Sequence, residues 1–551
     1  MSSDAHCARG AAALAQGDLP AAAAAYEAAL AIDPANLAAL VDLGVVRYRQ
    51  LEFDRAADLF LAALRLRPSD RAIATNLGRA YEDGSRPAMA ERVWRALIAD
   101  DPANAGARYH LGNTLLWRAR QEEAIRAYAD ALIHTKGPTR TTVWKSYINA
   151  HLYSSAATPA QIRAAGAAYA AELAPAEPPP PFDNDRDPER RLRVGYVTSD
   201  VGASSAARSF SGLFEHGDRA RFAIHVYHNH ERSDEVTRRF RAGCDGWRDT
   251  ILLDPPALAR AIREDRIDVL VTIAQHFDLN RIDPVLHRAA PVNVNAFDVA
   301  TSGTHAYDAF TADPTMAAAR GDGFTERVVR LRSIYAHAPI EGAPPVGDPP
   351  SASGAPVAFG SANNPFKISS ATIALWAAAL RAVPEATLRL KFFNAYKEEA
   401  VREELRARIA ARGVAPARVI FDLGGHEHGD HLRFYERVDV ALDTFPFTGS
   451  TTTFEALWMG VPVVTRAGAT VVSRWTAGFL ARVGRSDLAA ADDEEFVALA
   501  AREAADAPKQ DRAKLREAVR GSALCDPKRQ ARDFERLYRA LWRRWCAKGT
   551  P

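Results

Sequence analysis

The chain has 551 residues, more than one hydrophobic core organises, because single domains stop growing near ~250–300 residues. With 48% hydrophobic and 25% charged residues it is composed like an ordinary folded protein, which excludes wholesale disorder. Lys and Arg number 70 against 68 Asp and Glu, a formal charge of +2, without the concentrated basic surplus of a nucleic-acid binder.

No apolar run approaches the ~20 residues of a spanning helix, so no membrane span is expected. Residues 1–10 carry Asp4, His6 and Arg9 where a signal peptide needs an apolar stretch, and a cytoplasmic location is expected. Cys7, Cys244, Cys525 and Cys546 contain no CxxC pair and build neither a disulfide framework nor a zinc ribbon.

The first elements repeat. Gly44, Gly78 and Gly112 are spaced by 34, each after a leucine, and Pro34, Pro68 and Pro102 keep the same spacing. Ala22, Ala56, Ala90 and Ala124 do so too, as do the aromatics Tyr26, Phe60, Trp94 and Tyr128. Small residues where paired helices touch, an aromatic filling the next groove and a proline ending the second helix are what a 34-residue helix-turn-helix repeat requires, the tetratricopeptide (TPR) signature. A short TPR superhelix over residues 1–155 is predicted, with a concave face for a protein or peptide. That groove is not uniform: where one repeat has Asn76, its neighbours have Asp42 and His110.

A helix near 159–173 and the stiff stretch PAEPPPP at 175–181 form a predicted linker over 156–190. Strands and helices then alternate through 191–340: strands at 192–198, 222–227, 267–273 and 291–297, with a helix at 256–264. A proline- and glycine-rich break at 341–356 precedes a second such series over 357–551. Its strands are expected at 357–360, 388–392, 419–421, 438–442 and 461–465. Alternation of this kind implies parallel sheets covered on both faces, and ligands between the carboxyl ends of two such sheets. Neither half carries GxGxxG or GxxxxGK[ST], which removes the main support for dehydrogenase and P-loop readings.

Residues 438–458 read VDVALDTFPFTGSTTTFEALW. A buried strand empties into a loop, and Ser450, Thr451, Thr452 and Thr453 open a helix whose amides and hydroxyls suit a diphosphate. Glu455, one turn in, is placed to accept from ribose hydroxyls. SANNPFK at 361–367 follows a strand, and Lys367 there is placed to neutralise a leaving diphosphate.

These two segments, with LRVGYVTSD at 192–200, RAAPV at 288–292, TSG at 301–303 and GVP at 460–462, resemble the protein O-GlcNAc transferase family, its TPR-linked bacterial members and Spindly-type relatives included. The resemblance implies a GT-B fold of two Rossmann-like domains behind the TPR superhelix. It also implies transfer of a sugar from a nucleotide sugar, such as a UDP-sugar, to Ser/Thr hydroxyls of a protein, with inversion, without a metal and without a further cofactor. Carried over by position, Lys367 is the lysine on the donor diphosphate and Thr451 and Thr452 are the phosphate-binding threonines. Glu455 falls at the ribose, and His431 lies near the base with Arg474 in the following helix. Asn364, His428, Ser450 and Thr453 complete the expected donor site. The family's histidine after Ser199-Asp200 is absent, the stretch running on through Ser204 and Ser205, and its Trp-Leu-Gly-Tyr-Pro segment is replaced by 296–300. His276 keeps the position of a histidine of bacterial relatives and is the candidate base. Alternatives are a catalytically degenerate scaffold binding nucleotide or peptide, and a transferase using GDP-fucose or UDP-glucose. The run from His426 to His431 also fits HxHxDH, a two-zinc hydrolase pattern, but lies in the register of the nucleotide base. Asp439 and Asp443 imitate a metal pair, and capping roles are expected of them.

Overall fold

A computed structural model describes residues 1–177, 179–277, 279–318, 323–424 and 428–548. The chain divides into two compact units, Met1–Ala150 with Phe392–Arg408, and His151–Lys391 with Ile409–Pro551.

In the first unit, helices pair as Ser3–Ala15 with Leu19–Ile32, Leu37–Arg49 with Phe53–Leu66, Arg71–Asp83 with Pro87–Asp100, and Ala105–Trp117 with Gln121–His134. The repeat unit is set by two local devices. Asn36, Asp70 and Asn104 cap the first helix of successive pairs, each side chain accepting from the amide three residues on. The glycine of each first helix then receives the ring of the second: a Cβ on Gly44, Gly78 or Gly112 would lie 2.6, 2.5 or 2.4 Å from Phe60, Trp94 or Tyr128. The aromatic therefore fills the groove of its own pair, not the next one. Residues 392–408 fold with these helices. Arg118 joins Glu91 to Glu404, Lys397 reaches Asp54 at 2.7 Å, and Glu398 accepts the Ala88 amide at 2.7 Å. Burial works against ionisation of Glu91, but the Arg95 hydrogen bond and the charges of Arg118 and Arg120 outweigh it and hold the carboxyl below its usual range.

The second unit holds two parallel sheets. The strands of the first are β1 (Leu192–Thr198), β2 (Phe222–His228), β3 (Gly246–Asp249), β4 (Val269–Ile273), β5 (Val292–Ala296), β6 (Ala309–Ala312) and β7 (Val328–Arg330). The second has β8 (Ala358–Ser361), β9 (Thr387–Leu390), β10 (Val419–Phe421), β11 (Val440–Leu442), β12 (Val463–Arg466) and β13 (Ala489–Ala490). Among the described residues the orders are β3-β2-β1-β4-β5-β6-β7 and β10-β9-β8-β11-β12-β13, each reversing direction beside its first strand. This is the doubly wound arrangement of two Rossmann-like domains, so each sheet has a switch point, between β1 and β4 and between β8 and β11.

Two helices differ from the expected division. Pro159–Leu173 packs inside the second unit, Gly166 lying against the backbone of Ser302 at 3.3 Å, so the compact break precedes this helix. The last helix, Pro527–Ala547, returns to the first sheet: Tyr538 meets Tyr196 with hydroxyls 3.1 Å apart, and Phe534 stacks on Phe297 at 5.3 Å. Among the described residues no helix is long and apolar enough to cross a membrane.

Candidate functional site

At the switch point of the second sheet the chain leaves β8 through residues 362–369 and leaves β11 through residues 443–450. Asp443 ties the two exits together. Its buried carboxylate accepts from the amides of Thr444 and Gly449 at 2.8 Å, from the Thr465 hydroxyl at 2.7 Å and from Asn363 Nδ2 at 3.4 Å. Burial nonetheless raises its pKa against those donors. Asn363 in turn accepts from Thr452 Oγ1 at 2.9 Å. Lys367 is half-buried beside this loop, its Nζ donating to the Thr448 carbonyl at 3.0 Å and standing 4.6 Å from the Phe447 ring centre. Burial lowers its pKa to about 8, with Asp443 pulling the other way.

The helix Thr451–Trp458 starts without a side-chain cap from Ser450. Its first amides have no side-chain cap among the described residues, and the helix end adds a partial positive charge. Along this turn the hydroxyls divide by helical phase. Thr451 and Thr452 are half-buried, whereas Thr453 is buried and shares a 2.8 Å hydrogen bond with Thr476. Glu455 is buried against His431, Oε2 to Nε2 at 3.2 Å, and the Tyr435 hydroxyl donates to the Thr452 carbonyl at 3.0 Å. Arg474 donates to the Gly468 carbonyl at 2.8 Å. Asn364 accepts from the Phe366 amide at 3.0 Å, which shapes the loop carrying Lys367.

At the other switch point, β4 runs into His276. Both side chains of the pair His276 and Asp298 are buried, with Nδ1 2.9 Å from each carboxylate oxygen. Asp298 is itself fixed by the Val299 amide at 2.9 Å and by Asn295 Nδ2 at 3.1 Å. A carboxylate on Nδ1 selects the tautomer whose basic nitrogen is Nε2. Beside β1, Ser204 caps the helix Ser205–Phe210 by accepting from Ala207, and Asp200 accepts from Asn280 Nδ2 at 2.7 Å. The loop of Asp298 approaches the second sheet: Val299, Thr301 and Phe324 line a cavity of about 20 Å³ with Ala469 and Val471.

Residues 352–534 match the model of glycosyl transferase family 41, and 7–71 and 75–140 match a tetratricopeptide repeat model. The chain carries a family 41 glycosyltransferase domain. Its relatives include a probable UDP-N-acetylglucosamine–peptide N-acetylglucosaminyltransferase SPINDLY of Solanum lycopersicum, 34% identical over 67% of this chain and 41% of that protein. A Caenorhabditis elegans UDP-N-acetylglucosamine–peptide N-acetylglucosaminyltransferase is 32% identical over 35% of this chain and 17% of its own length. The chain thus spans about two fifths of the plant relatives it matches. Among solved structures, an O-GlcNAc transferase mutant of Thermobaculum terrenum superposes with a TM-score of 0.78 at 29% identity, covering 99% of this chain and 98% of that one. The chain therefore resembles the O-GlcNAc transferase family over its whole length, with TPR helices before a GT-B pair of Rossmann-like domains.

Within the family 41 domain the structure gathers Lys367, Ser450, Thr451 and Thr452 at one switch point, with the His431–Glu455 pair a turn away. Thr453 and Asn364 are engaged inside the fold. Two partners escaped the sequence reading, Asn363 and Asp298, because each acts through a residue remote in sequence. His426 and Glu427 of the HxHxDH run lie outside the described residues, as does the side chain of His428. Asp430 pairs with Arg433 at 3.0 Å and His431 with Glu455. Among the described residues no group of three or more His, Cys, Asp or Glu could hold a metal ion. Asp439 accepts from the amides of Ser351 and Ala358 at 3.0 and 2.8 Å and holds the start of β8.

Proposed function

We propose that the protein is an inverting, metal-independent glycosyltransferase that moves a sugar, GlcNAc or a similar hexose, from a UDP-sugar to Ser/Thr hydroxyls of a protein presented by the TPR helices. The observation that carries this reading is the convergence of Lys367 and the uncapped start of Thr451–Trp458 on one switch point. Lys367, the helix amides and the Thr451 and Thr452 hydroxyls receive the diphosphate and stabilise its charge as it departs. His431 and Glu455 lie on the nucleoside side.

In the reaction the acceptor oxygen attacks the anomeric carbon from the face opposite the diphosphate. The new carbon–oxygen bond forms as the bond to the diphosphate oxygen breaks, the electron pair leaving with UDP. The hydroxyl proton passes to Nε2 of His276, and Asp298 stabilises the imidazolium that results. The matches to proteins named as transferases support an enzyme over a catalytically silent scaffold.

The test is incubation with a panel of UDP- and GDP-sugars, following nucleotide diphosphate release and acceptor mass, with and without EDTA. UDP release that survives EDTA and adds one sugar mass to a protein supports the reading. GDP release alone moves the donor, EDTA sensitivity removes the metal-independent step, and no release from any donor removes the enzyme.

A further inference from the structure

Away from both switch points, the last helix and the turn before β2 enclose a cavity of about 740 Å³. Its walls carry six cations against two carboxylates, Asp218 and Glu535, in a chain whose total charges nearly cancel. Lys528, Arg532 and Arg536 recur every four residues along one face of Pro527–Ala547, and Arg221 faces them from the turn. Two of the cations have partners: Arg536 meets Asp533 at 3.3 Å and Arg543 meets Glu189 at 2.6 Å. Arg221, Lys528 and Arg532 make no ion pair among the described residues. Of the carboxylates, Glu535 is occupied by the Asp218 amide at 2.5 Å.

Arg539 lines this cavity and is 4% exposed. Its Nη1 donates to the Pro188 carbonyl at 2.7 Å and its guanidinium lies 5.4 Å from the Phe222 ring centre, while the buried Nε and Nη2 have no hydrogen-bond acceptor among the described residues. Burial, and then the nearby charge of Arg221, push the Arg539 pKa down, so the arginine is held where its own surroundings disfavour its charge. This concentration of positive charge is relieved by an anion entering the cavity.

We propose that this cavity binds a small soluble anion bearing two or more phosphate groups, held by the unpaired Arg221, Arg532 and Lys528, with the buried charge of Arg539 adding to the attraction. A single monoanion leaves most of these cations unmatched. A small ligand fits a cavity of about 740 Å³ better than a long polyanion does.

Sodium tripolyphosphate is the probe, added to the full chain in thermal unfolding and calorimetry at constant ionic strength. The wild-type melting temperature is expected to rise by a few degrees at saturating probe, about the effect of a ligand at one hundred times its Kd. The exposed pair of changes Arg221→Ser and Arg532→Ser should weaken binding at least tenfold, roughly the loss of two charge-assisted contacts. Lys367→Ala should leave it unchanged, which separates this cavity from the proposed donor site. The proposal fails if sodium sulfate at equal ionic strength gives the same shift, or if Lys367→Ala abolishes binding while the double variant retains it. Tighter binding of a single-stranded oligonucleotide or of polyglutamate than of tripolyphosphate would overturn the small-anion assignment.

Discussion

Lys367 donates its ammonium to the Thr448 carbonyl at 3.0 Å, one residue before the glycine whose amide is held by Asp443. The lysine is thereby posted over the loop that leads into Thr451–Trp458, and removing it should be felt by a diphosphate. Lys367→Ala is expected to weaken UDP binding by about 1.5–3 kcal/mol, the worth of a hydrogen bond to a charged group. Calorimetry with UDP measures it, and an unchanged Kd takes Lys367 out of the site.

The same lysine gives a pH dependence. With a pKa of about 8 in the free protein, it is charged below that value and neutral above it. UDP affinity should therefore hold between pH 6.5 and 7.5, roughly, and fall as pH rises through about 8, the uptake of a proton accompanying binding on the alkaline side. Lys367→Arg should flatten that limb, since a guanidinium stays charged throughout.

Asp298 is a positioning residue for His276. Asp298→Asn keeps the shape but favours the other imidazole tautomer, and should lower kcat with little change in the donor KM. His276→Ala should cost ~10²–10⁴-fold in turnover, the range of general acid–base groups. A loss under about tenfold in both, with UDP binding intact, would return the pair to a structural role.

His337 predicts acid lability. It is buried, stacked on Phe454 at 4.4 Å, and its Nε2 has no partner among the described residues. Burial, helped by the charge of Arg208, lowers its pKa from 6.5 to about 3. The unfolded chain then binds the proton that the folded one refuses, so stability present above pH 6.5 is lost as pH falls towards 3, by up to roughly 1.4 kcal/mol per pH unit from this group. His337→Phe keeps the stack and should flatten the melting temperature between pH 6.5 and 4.5; equal slopes for both proteins would refute it.

Gly78 faces Trp94 so closely that an added methyl must displace the ring. Gly78→Ala should destabilise the repeats by ~1–3 kcal/mol, as overpacking does, despite the better helix propensity of alanine. Chemical denaturation followed by tryptophan fluorescence decides between the two effects.

What could be read in the sequence depended on distance along the chain. The repeat was legible because Gly44 and Phe60 belong to one helix pair and recur at a fixed period. Strands β1, β2, β4 and β5 were legible as apolar runs because both their faces are covered. The strand Gly246–Asp249 escaped notice, being short, half-exposed and polar, and so did the two-residue β13. In the site, Lys367 and the threonine run announced themselves within their own segments. Thr453 could not be told from Thr452, since only the helical phase sends one to Thr476 and the other to Asn363. Asp298 sat in a stretch that reads as a departure from the family pattern, and nothing local ties it to His276 22 residues earlier.

The return of Pro527–Ala547 to the first sheet bears on the order in which the chain can be completed. Tyr196 and Phe297 receive Tyr538 and Phe534 from residues that emerge from the ribosome after the whole second sheet has been made. The earlier Rossmann half must therefore wait, with part of its aromatic core uncovered, while about two hundred further residues are synthesised at ~5–20 per second. The TPR helices make contacts mostly between neighbours and wait only for residues 392–408 to join them. During translation the nascent protein is thus a repeat array lacking only residues 392–408, followed by an unfinished α/β half, and that exposed interval is when chaperones have the most to hold.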